Sequence, residues 1–424
     1  MVRKNSWSRV DPLDFSIHSS YGSRSRPTPS IALDVMQTSN IPHGSPPVDR
    51  QRLAAWRREF PSTGACVHFN HAGVAPVSRR VADAVAAFIA DARDFALLHY
   101  SAWERRADEV RAAAARLVGG TSDEIAFAAG TSDGLSIVAT GYPWARGDSV
   151  VTAAEEFPAN VYPWWSLGER GVETRMAEIV GGRLTVDAIA AQVDRSTRVV
   201  SVSAVDFARG QRRPLAALGE FCRTRGILFC VDAIQALGAL DLDVERDAID
   251  CLAADGHKWL CAPEGCGVLY VSRRWLDRLR PQRLGWKSVT DQGRYLPYHF
   301  DLKSEAAKFE CGSFNFLAIS ALGAAIDLVL EIGTPAMERR VLAVTEMLRT
   351  ALRDSGHDIV SPDARDEWSG ITTVACAGPP EAEVARLRAA GIIASPRGGG
   401  VRLSPHFYSD EDDVARCVGA LGAA

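Results

Sequence analysis

ILFCVDAIQALGALDLDVERDAIDCLAADGHKWLCAPEGCGVLY, residues Ile227–Tyr270, is the stretch that decides the fold. It holds short runs of Val, Ile, Leu, Phe and Cys that end in polar turns, the pattern of strands buried on both faces of a parallel sheet. One run ends at Asp232, and Lys258 stands just beyond the next. In an open α/β sheet the ligand crevice lies at the carboxyl ends of the strands, so both side chains are expected to face one pocket.

Working outward, apolar strands alternate with helical patterns from Glu124 to about Tyr270: DEIAFAAG, DSVVTAAE, TRVVSVSAV, ILFCVDA, CLAADGH and GVLYVS. That alternation predicts a mostly parallel sheet with helices on both faces. Upstream, ACVHFNHAGVAPVS reads as a strand and loop, and VADAVAAFIADARDFALLH as a helix. ERRADEVRAAAARLVGG reads as a second helix, stopped by paired glycines. After the long helix NFLAISALGAAIDLVLEIG the pattern becomes α+β.

The chain of 424 residues exceeds one compact core, which predicts two domains. Residues 1–47 are Ser-, Arg- and Pro-rich and are expected to form a disordered or arm-like extension. Residues 48–315 are expected to form the large domain, with their N-terminal segment contributing to the small one, and 316–424 the smaller C-terminal domain. A net charge of -4 argues against nucleic acid and acidic membrane surfaces as partners. No segment approaches a membrane span, and the N-terminus lacks the apolar core of a signal peptide. Nine cysteines without a CxxC pair or a His/Cys cluster predict reduced thiols, no metal and a cytoplasmic location.

A lysine and a carboxylate facing each other across a cofactor-sized cleft suit pyridoxal 5′-phosphate (PLP). The lysine forms a Schiff base and the carboxylate keeps the pyridine nitrogen protonated. Gln235, three residues beyond the Asp, is expected to hydrogen-bond the cofactor's phenolate oxygen. Singly, such an Asp would be an ordinary turn or helix cap and such a Lys a solvated charge. Here Gly-His precedes the lysine and Trp-Leu follows it, a poor surface segment.

The pattern VDAIQ…ADGHKW resembles the fold-type I PLP enzymes of the class V aminotransferase and cysteine desulfurase superfamily. The resemblance runs from about Val67 to Val414. It implies an α/β large domain with a mostly parallel seven-stranded sheet and a smaller α+β C-terminal domain. It further implies phosphate contacts from Thr131 and Ser132 in AAGTSDG and from His257, and Phe157 of EEFPANVYPW stacked on the ring, with Asn160 a second candidate. Ser313 in KFECGSFNF would reach the phosphate of a neighbouring subunit, implying a homodimer with a shared active site. Arg402 in GGGVRLSPHFYS would clamp the substrate α-carboxylate. Asn70 and His71 in FNHAG would lie on the substrate side, and Arg212 in ARGQRRPL matches a further family segment.

Phenylalanine at the stacking position is similar to kynureninase and the isopenicillin N epimerase-like branch. The cysteine loop of the desulfurases is missing between Ile392 and Arg402, and Asp255 stands where desulfurases carry a serine. These features lead to an enzyme acting on an amino acid, with Lys258 as base and Asp232 as pyridinium partner. C–S β-elimination at a cysteine S-conjugate in specialised metabolism is the first expectation. Aminotransfer, epimerisation, decarboxylation or oxidative deamination are the alternatives, and a catalytically silent PLP-binding protein is the non-enzymatic one.

Overall fold

The computed structural model describes residues 49–421, so the arm expected over 1–47 lies outside the described residues. The strands are β1 (Val67–His68), β2 (Ile125–Ala128), β3 (Ser149–Ala153), β4 (Glu173–Ala177), β5 (Thr197–Ser203) and β6 (Leu228–Asp232). They continue as β7 (Cys251–Asp255), β8 (Gly267–Val271), β9 (Thr372–Val374), β10 (Ile392–Ile393), β11 (Ser395–Arg397) and β12 (Gly400–Leu403).

Seven of them form one sheet in the order β2-β8-β7-β6-β5-β3-β4. Its core from β7 through β4 is parallel, and β8 runs antiparallel to both neighbours. The six apolar runs are all present. The seventh strand, β4, sits at the edge, where only one side needs a partner and ETRMA stays partly exposed, so no apolar run marks it. Period-2 alternation divides each inner strand between two cores: on β6, Phe229 and Val231 face one and Leu228 and Cys230 the other. Helix Thr131–Gly141 covers the second with Leu135, Val138 and Ala139. Helices Tyr100–Val118 and Phe316–Ile332 pack on each other and cover the first.

Local chemistry sets the helix ends. The Ser78 hydroxyl accepts from the Val81 amide to start Arg79–Asp94. Gly119, at φ 77°, closes Tyr100–Val118 in the left-handed conformation, as the paired glycines predicted. Asn315 caps Phe316–Ile332 by accepting from the Ala318 amide at 3.1 Å. A third cluster is built from the C-terminal part, where β11, β12 and β9 form an antiparallel sheet. Val67 and Phe69 pack into this cluster, and β1 pairs with β10. The described residues make one compact unit. Among the described residues no single helix is long and apolar enough to cross a membrane.

Candidate active site

Strand ends converge as the parallel order requires. Strand β2 leads through Gly130 into helix Thr131–Gly141, β6 ends at Asp232, and β7 ends at Asp255 and turns through Gly256 and His257 to Lys258. A cavity of about 510 Å³ opens there, lined by Thr131, Ser132, Phe157, Asp232, Gln235, Asp255, His257, Lys258 and Arg402. Gly130 allows the closest approach: at φ 155°, a Cβ on it would lie 2.8 Å from the Asp255 carboxylate.

Asp232 is 1% exposed. Its Oδ1 accepts from the Ile234 amide at 3.0 Å, while Oδ2 is buried without a partner. Burial pushes its carboxyl up to about 6; the Ile234 amide opposes this, the nearby Glu156 charge adds to it, and Lys258 and Arg213 oppose it. An orphaned buried oxygen costs about 1–3 kcal/mol, more when charged, unless a ligand supplies the donor. A protonated pyridine nitrogen is such a donor, so the residues present fit PLP. Behind Asp232, Glu156 accepts from the Ser203 amide at 2.9 Å, from the Ser203 hydroxyl and from Arg213. Ser203 pairs with Asp232 across β5 and β6, which places this buried pair beside the carboxylate.

The Lys258 ammonium lies 5.6 Å from the centre of the Phe157 ring, which packs edge-on against Phe207 at 5.3 Å. Burial lowers the lysine to about 8 against the pull of Asp232, and Arg402 and Arg397 lower it further. An amine must be neutral to attack an aldehyde. The cofactor-free protein should therefore link PLP covalently at a rate that rises with pH and levels off above about 8, whereas an ordinary lysine would keep rising to ~10. Stopped-flow absorbance over a pH series checks this; a rate still climbing beyond pH ~10 would contradict the lowered value.

Other expected residues divide by placement. Gln235 donates one amide hydrogen to the Ala72 carbonyl at 3.0 Å and accepts from the Trp259 indole at 3.0 Å. Its second amide hydrogen remains for a phenolate oxygen. The Thr131 hydroxyl oxygen accepts from the Asp255 amide at 3.0 Å and keeps its own hydrogen to give. Asp255 accepts from the Gly256 amide at 2.6 Å and lies 3.1 Å from the His257 Nδ1, so it orders the turn that carries Lys258. Arg402, 3% exposed, donates to the Phe207 carbonyl at 2.6 Å and the Asn70 Oδ1 at 3.3 Å. Its Nε is buried without a partner, and burial pushes the guanidinium down to about 10.

Five expected residues lie off the cavity wall. His71 is fully buried and does not line the cavity: its nitrogens bond the Ser404 carbonyl at 2.8 Å and the Tyr408 hydroxyl at 2.7 Å, leaving nothing for a substrate. Asn70 also stays off the cavity wall and acts by holding Arg402. Asn160 is fully buried, its side-chain oxygen accepting from Ser201 at 2.6 Å and Trp164 at 3.1 Å, and it does not line the cavity. Arg212 is tied to Glu338 at 2.6 Å and faces a different cavity. Ser313 is exposed and lies outside this chain's cavity. Sequence reasoning missed Arg397, Phe207 and the Glu156–Arg213 pair. Only Arg397 had a visible signal, the Gly-Gly turn beside it.

A family model described as class-V aminotransferase matches residues 67–416. A probable cysteine desulfurase of Methanothermobacter thermautotrophicus is 30% identical over 338 residues, 73% of this chain and 81% of that protein. Isopenicillin N epimerase of Streptomyces clavuligerus is 29% identical over 84% of this chain and 94% of its own. Among solved structures, the cysteine desulfurase of Thermococcus onnurineus superposes with a TM-score of 0.78 at 24% identity, over 86% of this chain and 96% of that one. The cystine C–S lyase C-DES superposes with a TM-score of 0.79 at 23% identity, over 85% and 98%. These two likenesses concern the fold.

Proposed function

Given that this chain belongs to the class-V aminotransferase family, we propose that it catalyses β-elimination at the C–S bond of a cysteine S-conjugate. The enzyme depends on PLP and acts on a small-molecule amino acid. When bound, PLP supplies an electron sink for the pair released at the substrate α carbon. The remaining work falls to the chain's own residues.

We assign Lys258 as the covalent anchor and as the base that takes the α proton, and Asp232 as the partner that keeps the pyridine nitrogen protonated. Thr131, Ser132 and His257 would hold the phosphate, Phe157 the ring face and Gln235 the phenolate oxygen. Arg402, preset by Asn70 and Phe207, would orient the α-carboxylate. We also propose a cytoplasmic homodimer in which Ser313 serves the partner's cofactor. Its division of labour is a PLP-binding part over 48–315 and a carboxylate-binding part over 316–424.

One observation carries the choice of elimination. Among the described residues the cavity is lined by a single amine, Lys258, and by no cysteine. Persulfide transfer needs a thiol in reach, and the nearest in sequence to Arg402 are Cys417, in the core, and Cys376, beside a different cavity. Epimerisation needs a second proton carrier opposite the lysine, whereas Asp133 is paired with Arg283, and Asp255 and His257 lie against each other on the lysine's own turn. Elimination needs only the one base and a leaving sulfur, and yields thiol, ammonia and pyruvate with one water consumed. Incubation of the holoenzyme with S-substituted cysteines should release pyruvate and thiol in equal amounts. Loss of α-tritium to solvent without pyruvate would overturn this reading in favour of epimerisation or aminotransfer.

A further inference from the structure

We propose that Arg397 recognises an anionic group at the far end of the substrate side chain, so that the substrates are α-amino acids bearing a distal carboxylate. The proposal deepens the reading above and rests on it only for Arg402's hold on the α-carboxylate.

Strands β11 and β12 form an antiparallel hairpin in which Ser395 pairs with Arg402 and Arg397 with Gly400. Residues 395 and 397 share one face of their strand, and paired residues share a face across strands. Arg397 and Arg402 therefore stand on the same side of one hairpin as diagonal neighbours, with backbones about 7–8 Å apart. Both line the cavity that holds Lys258.

Their settings differ in a way that assigns separate tasks. Arg402 is buried and fastened to Phe207 and Asn70, which suits a fixed anchor. Arg397 is exposed, donates only to the carbonyl of its neighbour Pro396 at 2.7 Å, and has no carboxylate within ion-pairing distance among the described residues. The acid nearest in influence to Arg402, Asp206, already accepts from the amides of Ala208 at 3.2 Å and Arg209 at 2.6 Å. Carboxylates of Asp133, Asp232 and Asp255 line the same cavity, yet none of them lies within ion-pairing distance of Arg397, which leaves its guanidinium open to a ligand.

The backbone that carries Arg397 is held by its turn. Gly398 and Gly399 turn the hairpin with φ of 62° and 79°, a two-residue turn that side chains with a Cβ rarely make. A Cβ at Gly398 would also press to 3.0 Å on the Ala208 carbonyl. The same cavity is also lined by Val74, Phe157, Phe207 and Ile234, apolar side chains that suit the methylene or thioether spacer of such a side chain.

The test is equilibrium binding to the holoenzyme by calorimetry, using acid–amide pairs that carry no β leaving group: glutamate with glutamine, and 2-aminoadipate with its side-chain amide. Wild type should bind at least one acid about tenfold more tightly than its amide, the effect of one charge-assisted contact. Arg397→Ala should bring that ratio to near one and Arg397→Lys should keep part of it, with the thermal midpoint unchanged. Arg402→Lys should weaken acid and amide alike. Equal binding of both pairs by wild type, or a preference that survives Arg397→Ala, would overturn the proposal. Because nothing is eliminated from these probes, a failure of the elimination reading would show separately, as absence of pyruvate from cysteine conjugates.

Discussion

Lys258→Ala should lose at least about a thousandfold in turnover, ~4 kcal/mol of barrier, together with the absorbance of covalently held PLP. The same amine is asked to anchor the cofactor and to carry the α proton, and no other amine lines the cavity among the described residues. Removing it takes away both roles at once, and such roles do not fall back on water. The phosphate contacts proposed for Thr131, Ser132 and His257 remain, so the variant should still bind PLP reversibly. Steady-state kinetics, absorbance spectra and dialysis read these three outcomes. Turnover near that of wild type would remove Lys258 from the mechanism. The variant should still fold, because a charge that burial disfavours destabilises the folded state while protonated, and its removal does not weaken the apoprotein.

Asp232→Asn should slow α-proton removal by about a hundredfold or more, since an amide cannot hold a proton on the pyridine nitrogen. An effect below tenfold, about 1.4 kcal/mol, would deny Asp232 the role of pyridinium partner. The same substitution should stabilise the cofactor-free protein. With a folded value of about 6 against an unfolded ~3.9, the carboxyl favours the folded state while protonated. That contribution is complete below pH ~4 and is lost as pH rises through about 6, on the order of 1–3 kcal/mol. Thermal unfolding of the apoprotein at pH 7 should therefore give a higher midpoint for Asp232→Asn than for wild type, and an equal or lower one would contradict the buried orphan oxygen. Loss of rate with gain of apoprotein stability is the mark of a charge kept for its ligand.

The part of this site that was legible in the chain is the part written along single strands. Asp232 and Lys258 follow runs buried on both faces, so the runs stand out as apolar and the residues after them stand out as chemistry. Strand β4 lacks that contrast because an edge position tolerates the exposed Glu173 and the half-buried Arg175. The FNHAG segment was legible as functional but not in detail. Adjacent residues point to different surroundings, and only the fold shows that His71 turns into Tyr408 while Asn70 turns to Arg402. Arg397 needed the hairpin register, which depends on a pairing between strands that a motif read along one strand does not supply. Glu156 and Arg213, 57 residues apart, meet only through the order of β3, β5 and β6.

Borohydride reduction of the holoenzyme, followed by peptide mapping, tests the central claim most directly. Reduction should fix the cofactor as a stable secondary amine on a single peptide, at Lys258. A label on another lysine, or none in protein saturated with PLP, would contradict it.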